Sequence, residues 1–71
     1  MDFLIEKGGR FLSIEVKWSR HIEKPVLHSF KMLKDSLRDD LVMGVVLYRG
    51  EDVLSLGEKL IAVPYESFFG A

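Results

Sequence analysis

Cysteine is absent from the chain, and with it go disulfides, thiolate nucleophiles and cysteine-ligated zinc, a composition that fits a cytosolic setting. No sign of charge dominates either. The Lys and Arg residues number 10 against 11 Asp and Glu, a formal net charge of −1, so bulk charge carries no nucleic-acid footprint. Long hydrophobic runs are missing too. The longest apolar stretch, Leu41 to Tyr48, is interrupted by Gly44 and falls far short of the roughly 20 residues that cross a bilayer. Asp2 and Glu6 stand where a signal peptide would carry its basic start and apolar run, so the expectation is a cytoplasmic domain with no membrane segment. No Gly-x-x-x-x-Gly-Lys loop occurs, which removes phosphate-loop ATPase chemistry. No serine is set with a histidine and an acid in the manner of a nucleophilic triad.

What is present is one domain over residues 1–71, 48% hydrophobic and 30% charged, which is the composition of a folded chain. A core this small sits near the lower limit of independent stability. Two short segments, Asp2-Phe3-Leu4-Ile5-Glu6 and Ser13-Ile14-Glu15-Val16-Lys17, flank Gly8-Gly9. If the glycines form a two-residue hairpin turn, residues whose numbers sum to seventeen face each other, and Asp2 lies across from Glu15. Directly opposed carboxylates repel unless something compensates them, and a divalent cation would do so. Lys17, two positions beyond Glu15, falls on the same face and completes a cluster of two acids and a lysine suited to metal-dependent phosphodiester hydrolysis. The ordinary alternatives are the alternating pattern of a half-exposed strand and a structural ion pair of Lys17 with either acid.

Alternation places Phe3, Ile5, Leu12, Ile14 and Val16 on one face of this hairpin, read as core, and Leu4, Phe11, Ser13 and the charged residues on the other. Val26, Phe30, Leu33 and Leu37 recur at helical spacing between Pro25 and Asp39, with Pro25 suited to the first turn. Val42 to Tyr48 is β-branched and apolar on both faces, as expected of a central strand paired in parallel. The helix of this crossover is expected over the Phe3, Ile5, Ile14 and Val16 face. Two further strands, Val53 to Leu56 and Lys59 to Val63, precede Pro64 and a short tail, Tyr65 to Phe69. The expectation is an α/β domain with a mixed sheet of about four or five strands and one main helix on one face. The other face would leave Leu4 and Phe11 to be covered by a partner subunit in a homodimer, another protein, Phe68 and Phe69, or an upstream helix.

His21 and His28 have no recognised metal-ligand spacing and read as surface residues. Arg20, His21 and Lys24 follow the acid and lysine cluster, where they suit contact with a nucleic-acid phosphate backbone or form a solvated loop. Lys31, Lys34 and Arg38 mark the outer face of the helix, and Trp18 reads as a packing residue on the core side of its strand.

The order Asp2-Phe3, then Ile14-Glu15-Val16-Lys17, then helix and buried strand, resembles the PD-(D/E)XK nuclease-like superfamily. With Tyr48-Arg49-Gly50 added, most of the chain is similar to the C-terminal nuclease-like domain of prokaryotic AAA-type ATPases, a domain without an assigned function. The resemblance implies a minimal restriction-endonuclease-like core. It also implies a magnesium ion held by Asp2, Glu15 and a backbone carbonyl near Val16, with Lys17 assisting the attacking water. The superfamily's acidic N-terminal helix has no counterpart before Asp2, so the expectation is a domain lacking that helix. Two functions follow as expectations: a non-catalytic accessory or interaction domain, and a magnesium-dependent nuclease using Asp2, Glu15 and Lys17.

Overall fold

The computed structural model describes residues 3–69. In chain order the elements are β1 (Phe3–Lys7), β2 (Arg10–Val16), α1 (Lys24–Leu37), a 3-10 turn (Arg38–Asp40), β3 (Leu41–Tyr48), β4 (Leu54–Gly57), β5 (Leu60–Pro64) and α2 (Tyr65–Phe69). The strands form a single five-stranded sheet in the order β1-β2-β3-β5-β4. The inner trio β2, β3 and β5 is parallel, and the two outer strands are antiparallel to their neighbours. This is the mixed α/β sheet with one main helix that the pattern predicts. Among the described residues no helix is long and apolar enough to cross a membrane.

Gly8 and Gly9 both take positive φ, 61° and 82°, the backbone of a two-residue turn whose twist matches that of the flanking strands. The register then runs Phe3 to Ile14, Leu4 to Ser13, Ile5 to Leu12, Glu6 to Phe11 and Lys7 to Arg10. Every pair sums to seventeen. The Gly9 amide donates to Glu6 Oε2 at 2.6 Å, which ties the turn to the strand that enters it.

β3 lies between β2 and β5, with Ser13 beside Gly44 and Glu15 beside Val46 on one flank, and Leu60 beside Gly44 and Ala62 beside Val46 on the other. Val26 of α1 packs with Val46, Tyr48, Leu60 and Ala62, and Phe30 joins the same cluster. The helix therefore covers the face that carries Ser13 and Glu15, not the face of Phe3, Ile5, Ile14 and Val16. Side-chain size is the physical reason. A β-carbon on Gly44 would overlap the Phe30 ring and come within 2.7 Å of Ser13 Oγ, so the adjacent Ser13 and Gly44 form the hollow that the aromatic ring fills.

Leu4 and Phe11 consequently lie on the helix side, where Phe11 is half-buried but Leu4 stays exposed, and Phe3 and Ile5 are open on the opposite face. α2 packs against β5 and β3. It presents Tyr65 to Trp18 edge-on, with ring centroids 5.2 Å apart. Trp18 is 66% exposed, which corrects its reading as a buried packing residue. The face that alternation gives Trp18, that of Ile14 and Val16, is the one α1 leaves uncovered.

Candidate functional site

Glu15 occupies the last full turn of the pleat in β2, facing α1. It lines a narrow cleft with Ser13, Val26, Ser29, Phe30 and Leu33 whose free volume is about 20 Å³, room for about one water molecule. Lys17 follows just beyond β2, and its amide donates to the Leu47 carbonyl at 2.8 Å, which prolongs the parallel ladder. Its ammonium stands 3.9 Å from Glu15 Oε1, with side chains 44% and 16% exposed respectively. The structure thus brings Glu15 and Lys17 together on one face, as alternation requires. At that distance, with the lysine largely in solvent, the pair contributes between about 0 and 1 kcal/mol.

Asp2, the second acid of the expected metal set, lies outside the described residues. Val16 pairs with Leu47 in the β2–β3 ladder. Among the described residues no group of three or more His, Asp or Glu side chains is placed to hold a metal ion.

The expected phosphate-contacting residues divide. Arg20 and His21 line one groove together with Tyr48, Arg49 and Asp52, whereas Lys24 opens α1 and stands apart from that groove. His21 also borders the space on the far side of Lys17, with Glu23 and Pro25. His28 is exposed on α1, in line with its reading as a surface residue.

Two residues without an expected role stand out. Ser13 is the buried polar side chain beside Gly44, 6% exposed, and its small size makes room for the helix. Arg49 shares its groove with Arg20, and its amide donates to the Ser19 carbonyl at 3.0 Å. The sequence signal for Arg49 is slight, a basic residue followed by glycine at the end of a buried strand.

Among comparisons with known proteins, residues 1–68 match the model of a family described as Domain of unknown function (DUF4143). No curated protein and no solved structure matches the chain.

Proposed function

Because this chain belongs to the DUF4143 family, we propose that it acts as a non-catalytic accessory or interaction domain on a nuclease-like scaffold, akin to the C-terminal domain of prokaryotic AAA-type ATPases. The observation that carries this reading is the roof over Glu15. α1 leaves a cleft of about 20 Å³ above the carboxylate, far less than a phosphodiester needs. A Glu15–Lys17 pair 3.9 Å apart in that setting has the attributes of a structural contact.

The second reading, a magnesium-dependent nuclease, draws support from the hairpin register, which sums to seventeen at all five described pairs. Continued by one pair, that register would set Asp2 across from Glu15, where magnesium would be held by the two carboxylates and a carbonyl near Val16. Lys17 would then orient the attacking water.

Titration with magnesium and manganese, followed through the backbone amides of Glu15 and Val16, separates the two. The accessory reading expects no saturable shift at millimolar metal and no metal-dependent cleavage of DNA or RNA. A saturable shift together with cleavage that Lys17→Ala abolishes would overturn it in favour of the nuclease.

A further inference from the structure

Arg20 and Arg49 stand beyond the carboxyl ends of two adjacent parallel strands, β2 and β3. In open α/β sheets this edge is where loops diverge and ligands bind. Here the two loops are fixed to each other and to the sheet. The Arg49 amide donates to the Ser19 carbonyl at 3.0 Å, and the His21 amide donates to Ser19 Oγ at 3.1 Å. The Tyr48 hydroxyl donates to the Asp52 carbonyl, and Gly50 crosses the Tyr48 ring so closely that a β-carbon there would overlap it. Both arginines are therefore presented from pinned backbone.

The same two arginines line both grooves of this edge, one of about 220 Å³ with Tyr65 and Glu66 and one of about 330 Å³ with His21 and Asp52, Glu51 bordering both. Among the described residues neither guanidinium has an ion-pair or hydrogen-bond partner. That is notable because Glu51, Asp52 and Glu66 line the same walls. Tyr65 joins this edge to Trp18, a residue that is 66% exposed.

We propose that this edge binds a phosphate ester carried on a planar ring, the chemistry shared by a free nucleoside monophosphate and a nucleotide within a single strand. Arg20 and Arg49 take the phosphate oxygens through their fork-shaped donor sets, and the indole of Trp18 takes the ring. The three acids outnumber the two guanidiniums and leave this edge net negative, so long-range attraction does not draw the anion in and recognition rests on the paired donors at short range. This site is independent of Glu15 and of any metal held there, and its test does not depend on which of the two readings above holds.

The test is a titration of the whole chain with adenosine 5′-monophosphate, followed through the Trp18 indole N–H and the amides of Arg20, Arg49 and Gly50, with adenosine, inorganic phosphate and a short single-stranded oligoadenylate as parallel arms. The monophosphate is expected to saturate these shifts in the millimolar range, with adenosine and phosphate each weaker. Arg20→Gln and Arg49→Gln are each expected to weaken it about tenfold while leaving the unfolding midpoint in place. Trp18→Ala should weaken the monophosphate and leave phosphate binding unchanged. An oligoadenylate that binds no tighter than its number of phosphates explains identifies the free nucleotide as the ligand source, and a tighter one identifies the strand. The proposal is overturned if neither the monophosphate nor the oligoadenylate moves these signals. It is equally overturned if the shifts persist in the doubly substituted Arg20→Gln, Arg49→Gln chain.

Discussion

Gly44 interrupts the longest apolar run of the sequence, and at the residue level it looks like a weak point in a strand. The structure gives it a steric task, because the Phe30 ring occupies the space its missing side chain leaves open. Gly44→Ala is therefore expected to destabilise the domain by about 1–3 kcal/mol through overpacking, read as a lower denaturant midpoint at unchanged slope. A variant as stable as the parent would mean that Phe30 does not pack there. Glu15 and Lys17 were legible as neighbours, since strand alternation alone sets them on one face. The roof above them was not, because no local pattern reports what another element lays on a strand. Trp18 shows the same limit from the other side, as alternation gives it a face but not which face the helix covers.

Elements were legible where backbone chemistry is local. The double glycine specifies its turn, and the turn specifies the register of β1 and β2. Gly9 holds φ at 82° and donates to Glu6, so Gly9→Val is expected to cost about 1–2 kcal/mol, a β-branched side chain being strained there. Thermal unfolding would register this as a lower midpoint, and an unchanged midpoint would contradict the turn geometry. The helix was placed within a few residues, with Pro25 in its first turn. Its side of the sheet was misread. The face of Phe3, Ile5, Leu12, Ile14 and Val16 is the more apolar one, but β3 is apolar on both faces and cannot arbitrate. The close approach permitted by Ser13 and Gly44 decides instead, and apolar count is a poor guide to packing distance.

For the molecule as a whole, the core is small and off-centre. Among the described residues its buried hydrophobic residues come from β3, β5 and α1 alone, while every residue of β1 is exposed. Stability should follow the same gradient. Phe3 is 58% exposed and Ile5 49%, so Phe3→Ser and Ile5→Ser are each expected to cost under about 1 kcal/mol in the isolated chain. Leu47→Ala, at a residue 1% exposed, should cost about 2–5 kcal/mol. Urea unfolding of the three variants checks the contrast. A loss at Phe3 or Ile5 as large as that at Leu47 would mean that these side chains are covered in solution, as they would be in a homodimer or a complex with another protein, and sedimentation of the parent chain would then report the larger species.

The strand order limits where the chain can be divided. β3 pairs with β2 on one edge and with β5 on the other, so the two terminal ribbons never meet edge to edge. Any excision or break inside those eight residues severs both seams at once and leaves two double-stranded ribbons with no ladder between them. The domain therefore has no dispensable half, and whatever either end contributes depends on an unbroken middle.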